Sequence, residues 1–267
     1  MARLGIIAGT GILPSALAEA TPDAHVVAFE GAEVAVPETR LDRHRIERLG
    51  GLFDALRGAG VTEVVMGGGM SRPEFDPSRL DPVTMSLLPR IAGAMQQGDD
   101  ALLRTVIAIV EEQGFTVRGA AEVLPSLVAP EGHLAGPAPS DTARADEERG
   151  RAILSALGPL DIGQGCVVAS GLCLGIETLQ GTDALLRFVG ETPARLRGPR
   201  RGVLVKRQKV GQDLRVDMPA IGPDTIRAAS AAGLEGIAIA AGGVMLLDRQ
   251  ALLDACEETG LFLLATP

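Results

Sequence analysis

The chain has no tryptophan and no tyrosine, and aromatic residues fill only 2% of its 267 positions. Proteins that bind single-stranded nucleic acid stack bases on such rings, so that mode is excluded. A basic surplus is also missing. The formal net charge is −9, whereas binding to a phosphate backbone calls for a basic face. Nucleic acid is therefore not an expected partner. With hydrophobic residues at 46%, the cores must be aliphatic. Cysteine is scarce: Cys166, Cys173 and Cys256 are odd in number and form no CxxC pair. They read as reduced, buried, small apolar residues of a cytoplasmic protein. No apolar run approaches the ~18 residues of a membrane span. The opening Met1–Ala8 is too short and glycine-interrupted for a signal peptide. The histidines His25, His44 and His133 show no metal-ligand spacing, and HExxH, Gly-x-Ser-x-Gly and P-loop motifs are all missing. That weakens zinc hydrolase, serine hydrolase and ATPase readings.

Apolar runs alternate with helical periodicity through the first half. Strands are expected at 4–8, 25–29, 61–66 and 115–123, with helices at 14–20, 46–57, 82–96 and 99–113. This β-α alternation predicts an α/β fold with a parallel sheet covered by helices. The Pro- and Gly-rich stretch 129–145 lacks periodicity and reads as a linker. It divides a domain at 1–128 from one at 146–267, although a charged helix is expected already from about 141 to 157. In the second half, 167–176 reads as a bent strand or hairpin. A helix follows 181–183, a strand 202–206, a helix 223–232, strands 235–240 and 245–247, a helix 248–259 and a last strand 261–265.

The stretch from Lys206 to Pro219 carries the strongest chemical signal. Cations at Lys206, Lys209 and Arg215 follow a buried strand, and Asp217 stands just before a Pro- and Gly-rich turn. Cations that cradle phosphate oxygens around a carboxylate suit phosphoryl chemistry, whereas a charged hairpin edge that blocks aggregation gives the same pattern. Two glycine turns add weight. Gly9-Thr10-Gly11 follows the first strand and opens a helix, a place where backbone N–H groups favour an anion. It resembles the start of a dinucleotide fingerprint, with Glu30 at the expected distance, but Pro14 breaks the third glycine position. Gly67-Gly68-Gly69-Met70-Ser71-Arg72 follows the third strand read and offers close backbone approach, a hydroxyl and a guanidinium. Two such turns at the ends of neighbouring parallel strands line one crevice. Asp99 and Asp100 open a helix, and capping explains one of them. Gln164 stands between two glycines, and Thr182 and Asp183 open another helix. The acids are hard oxygen ligands that suit Mg²⁺ or Mn²⁺ held jointly with substrate phosphates.

The segments LGIIAGTGILP, GGGMSRP, GDDALLR, DIGQGCVV, GTDALLR and QDLRVDMPAIGPDT, in this order, resemble the LpxI family of UDP-2,3-diacylglucosamine pyrophosphatases. The resemblance implies a Rossmann-like N-terminal domain and a smaller C-terminal α/β domain, with the ligand in the cleft between them. It implies hydrolysis of the pyrophosphate of UDP-2,3-diacylglucosamine to UMP and 2,3-diacylglucosamine 1-phosphate, a step of lipid A synthesis that needs a divalent cation. Cytoplasmic localisation, peripheral contact with the inner membrane and a homodimer are further expectations. The family's acid tied to turnover falls on Asp217, as general base or as metal ligand, with Asp183 or Asp100 assisting at the metal. Lys206 joins the catalytic set. Gly9, Thr10, Gly11, Gly68, Gly69, Met70, Ser71, Arg72, Asp99, Asp100, Gln164, Thr182, Lys209, Gln212 and Arg215 are the expected substrate contacts. Thr10 and Ala220 depart from the family pattern, which favours glycine and threonine there. An NAD(P)-linked oxidoreductase and a non-catalytic nucleotide-sugar-binding protein are the alternatives.

Overall fold

A computed structural model describes residues 2–70, 75–209 and 211–267. The chain divides into two units: one holds Met1–Pro125 together with Asp213–Asp217, the other Ser126–Gln212 and Met218–Pro267. The two are close in length, so the second is not the smaller.

The first unit runs β1 (Arg3–Ala8), α1 (Leu13–Ala20), β2 (His25–Phe29), β3 (Leu41–His44), α2 (Leu49–Gly58), β4 (Val61–Gly67), α3 (Pro82–Met95), α4 (Asp99–Glu112), β5 (Thr116–Arg118) and α5 (Ala120–Val123). Its five strands pair in parallel in the order β3-β2-β1-β4-β5, the doubly wound arrangement of dinucleotide-binding folds. The chain reverses its direction of sheet-building between β1 and β4, which places the ends of these two strands at the switch point. Ile7, Val27, Val64 and Val117 from the sheet pack with Leu52, Phe53, Leu56, Ile107 and Val110 from the helices. Asp81 fixes the start of two helices at once. Its Oδ1 accepts from the Thr84 backbone at 2.7 Å and its Oδ2 from the Gly50 backbone at 2.9 Å, so one carboxylate satisfies orphan donors on both α3 and α2.

The expected elements of this unit are found, with three corrections. The first helix of the 46–57 region starts at Leu49. Residues 115–123 are a three-residue strand followed by a helical turn, because Gly119 interrupts them. Strand β3 went unread because Leu41-Asp42-Arg43-His44 has no apolar run.

The second unit runs β6 (Gly132–Ala135), α6 (Asp141–Leu157), β7 (Gly165–Ala169), β8 (Leu172–Ile176), α7 (Gly181–Gly190), α8 (Ala194–Arg197), β9 (Val203–Lys206), β10 (Ala220–Ile221), α9 (Pro223–Ala231), β11 (Gly236–Ala240), β12 (Met245–Leu246), α10 (Arg249–Thr259) and β13 (Phe262–Thr266). Six strands form a mixed sheet in the order β6-β13-β11-β9-β7-β8. Strands β13, β11 and β9 are parallel, and β6, β7 and β8 run antiparallel to their neighbours. One face packs on α6 through Leu154, Val205, Ala238 and Phe262. The other packs through Leu186, Leu204, Ile226, Ile237 and Leu252. Residues 129–145 are not a linker. Strand β6 pairs with β13, and Ser140 Oγ caps α6 by accepting from the Ala143 backbone at 3.1 Å. Low periodicity in this stretch reflects a short edge strand between turns.

The hairpin reading of 167–176 holds. Ser170 and Gly171 turn the chain at φ 50° and 81°, and both of their N–H groups donate to the buried Asp146 carboxylate, at 2.8 and 2.6 Å. Cys166 and Cys256 are buried as expected, and burial pushes their thiols up to about 12 and about 11. Cys173 is exposed, because β8 is the edge of the sheet.

Candidate functional site

The two glycine turns of the first unit meet at the switch point. Ala8 and Gly67, the last residues of β1 and β4, are paired partners. The turns beyond them are hydrogen-bonded to each other. Gly9 N donates to Gly67 O at 2.8 Å, Thr10 N to Gly69 O at 2.8 Å, and Gly69 N to Thr10 O at 3.0 Å. Thr10 Oγ1 adds a bond to Gly69 O at 3.2 Å. Side chains are excluded here by contact: a Cβ on Gly9 would stand 2.4 Å from Gly69 O, and one on Gly68 2.4 Å from Thr10 O. Thr10, Gly11, Gly68, Gly69 and Met70 are exposed around this junction. Ser71 and Arg72 lie outside the described residues.

The junction predicts a contrast between two glycines. Gly68 and Gly11 both have positive φ, 93° and 88°, but no atom stands within 4 Å of a Cβ on Gly11. Gly11→Ala should cost only the left-handed strain of about 1–2 kcal/mol. Gly68→Ala adds a backbone clash and should lower the melting temperature distinctly more. Equal melting of the two variants would contradict this packing of the turns.

The segment 213–217 belongs to the first unit, where Val216 packs against the core. Arg215 is clamped by two acids: its Nε and Nη2 reach Asp213 at 3.0 and 2.7 Å, and its Nη1 reaches Glu111 on α4 at 2.8 Å. The Arg215 guanidinium holds the Asp213 carboxyl below the ordinary carboxylate range, and the same pairing raises Arg215. Asp217 is half-buried, and its backbone N–H closes the turn on Asp213 O at 3.2 Å. Asp99 opens α4, and Asp100 pairs with Arg104 one turn along the same helix. Glu30, the acid of the dinucleotide alternative, pairs with Arg45 at 3.4 Å.

In the second unit Lys206 ends β9 and is only 5% exposed. Its ammonium donates to Thr182 Oγ1 at 2.5 Å and faces Glu177 Oε1 and Oε2 at 3.4 and 3.3 Å. Thr182 in turn donates to Glu177 Oε1 at 3.1 Å. Glu177 is the residue that sequence reasoning missed. The signal for it was the pair of glycines around Gln164. A Cβ on Gly163 would stand 2.0 Å from Glu177 O, and one on Gly165 2.5 Å from Glu177 Oε2. Those glycines seat the glutamate, while Gln164 contributes its backbone oxygen to Arg207 N at 2.8 Å.

The three cations expected to meet phosphate each have an acidic neighbour. Lys206 lies in the strand against Glu177, Lys209 pairs with Asp161 at 2.5 Å, and Arg215 pairs with Asp213 and Glu111. Each cation is already held by a carboxylate, so an arriving phosphate competes with a protein anion. Gln212 braces this loop by accepting from Lys209 N at 3.0 Å. The helix start after Gly181 brings Thr182 to Lys206 and leaves Asp183 exposed, as expected when successive helical residues diverge by about 100°. Among the described residues no three acidic, histidine or cysteine side chains converge as a metal set. Single hard carboxylates remain, which fit a cation bound largely through substrate phosphates.

The family model for the LpxI N-terminal domain matches residues 3–127, and that for the LpxI C-terminal domain matches residues 130–264. A curated relative, "UDP-2,3-diacylglucosamine pyrophosphatase LpxI" of Caulobacter vibrioides, is 40% identical over 278 residues, an alignment spanning 99% of this chain and 97% of the relative.

Proposed function

The chain belongs to the LpxI family, and from that premise we propose that it hydrolyses the pyrophosphate bond of UDP-2,3-diacylglucosamine to UMP and 2,3-diacylglucosamine 1-phosphate in lipid A synthesis. The observation that carries this is the 40% identity sustained over 99% of the chain. Binding needs positive charge, and the cations are present in pre-oriented pairs. Lys206, fixed by Glu177 and Thr182, offers a pre-oriented ammonium to charge that develops on phosphate oxygens. Arg215 presents a rigid fork suited to phosphate. Asp217, in the stretch the family ties to turnover, has one of two roles: it takes the proton of the attacking water, or it would hold a divalent cation, Mg²⁺ or Mn²⁺, together with substrate oxygens, the cation supplying charge neutralisation. The glycine junction at 9–11 and 67–69 suits the nucleotide, since the switch point of such a sheet is where nucleotides bind. The protein works at the cytoplasmic face of the inner membrane. No helix among the described residues is long and apolar enough to cross a membrane.

Incubating the purified protein with the UDP-linked diacyl sugar should release UMP, and EDTA should suppress release until Mg²⁺ or Mn²⁺ is restored. Tight binding with no UMP would favour the sensor alternative. Undiminished release in EDTA would remove the metal from the scheme and leave the hydrolase.

A further inference from the structure

Nine large apolar side chains stand exposed among the described residues. Six of them, Leu160, Ile162, Leu172, Leu179, Phe188 and Leu196, fall in one stretch of the second unit. Several belong to elements that pack together. Helix α7 lies on the edge strand β8, and the Phe188 ring borders Gly175 in that strand. Helix α8 is tied to the end of α7 through Arg197, whose Nη1 donates to Ala232 O at 2.5 Å and to Val189 O at 3.5 Å. The charge of the same stretch runs against that of the chain. In a protein of net charge −9, residues 181–201 carry five arginines against Asp183 and Glu191. Arg187, Arg195 and Arg201 are exposed, the first two next in sequence to the exposed Phe188 and Leu196.

We infer that the outer face of α7, α8 and edge strand β8 docks on an anionic phospholipid surface. Apolar side chains interleaved with arginine are what a bilayer interface selects, the first entering the acyl boundary and the second meeting lipid phosphates. A second copy fits this face less well, because a two-fold contact sets the same patch against itself and brings arginine against arginine. The position is useful to the proposed reaction, on which this inference rests. Thr182, at Lys206, and Phe188 are six residues apart on α7, about 9 Å along its axis. A diacyl sugar nucleotide can thus keep its chains in the membrane while its polar part reaches the Lys206 site.

The test is co-sedimentation of the full chain with phosphatidylglycerol-containing vesicles and with pure phosphatidylcholine vesicles. The wild type should sediment with the first, less so at high salt, and weakly with the second. Arg187→Gln with Arg195→Gln should lower vesicle partition roughly 25-fold, at about fivefold per lost charge, and Phe188→Glu should also weaken it. Both variants should melt like the wild type and release UMP from micelle-dispersed substrate at the wild-type rate. Wild-type hydrolysis in micelles without vesicle binding overturns the docking face alone. Absence of hydrolysis in micelles overturns the functional reading beneath it. Vesicle binding unchanged in both variants, with a dimer by light scattering that Phe188→Glu dissociates, assigns the face to self-association instead.

Discussion

Asp217→Asn should lower kcat by about 10²–10⁴-fold, the usual worth of a positioned general base, and leave the melting temperature close to wild type. Asparagine keeps the size of the side chain and the backbone bond that closes the turn on Asp213, so the fold of 213–217 should survive. The form of the loss separates the two roles open to this acid. A base confers an acidic limb on the pH–rate profile of kcat, and that limb should vanish in the variant. A metal ligand instead leaves the limb and makes the residual rate respond to raised Mn²⁺. Turnover near the wild-type rate would remove Asp217 from the chemistry altogether.

Glu177→Leu should have the largest effect on stability. The side chains of Glu177 and Lys206 are 12% and 6% exposed, so deleting the carboxylate leaves an ammonium buried with only Thr182 as partner. Breaking such a pair typically costs about 3–5 kcal/mol, which corresponds to a fall in melting temperature on the order of 10 °C for a unit of this size. Turnover should fall too, because the ammonium loses the partner that orients it. The double variant Glu177→Leu, Lys206→Met should recover much of the lost stability, since replacing both members with apolar groups is often neutral or better, yet it should stay inactive. A single variant that melts like the wild type would show that the pair is solvated. A double variant that regains activity would show that Lys206 is not needed.

Most of the first unit was legible in the sequence, because aliphatic strands such as Leu4–Ala8 and His25–Phe29 alternate with helices at regular spacing. The same regularity made the convergence of the Gly9 and Gly68 turns readable before any coordinates. Strand β3 was not legible. Its residues are held by polar contacts rather than by an apolar pattern: Arg43 grips Glu38, and Asp42 Oδ2 stands 3.2 Å from Nε2 of both His25 and His44. The site divided along similar lines. Residue types that carry phosphate chemistry could be picked out singly, as with Lys206, Arg215 and Asp217. Their partners could not. Glu177 lies 29 positions from Lys206, and Glu111 lies 104 from Arg215. No local pattern announces pairings at that range. The strand ending at Lys206 is found as read, but the charged run after it read as one loop, whereas 213–217 returns to the first unit.

That return has a consequence for how the protein is made. The first unit is built from Met1–Pro125 but is complete only when Asp213–Asp217 joins it, with Val216 entering its core and Arg215 reaching Glu111. On the ribosome, at about 5–20 residues per second, the closing piece emerges roughly 4–18 s after Pro125. Throughout that interval the nascent N-terminal half waits unfinished, with α4 showing water the acid that will later hold Arg215.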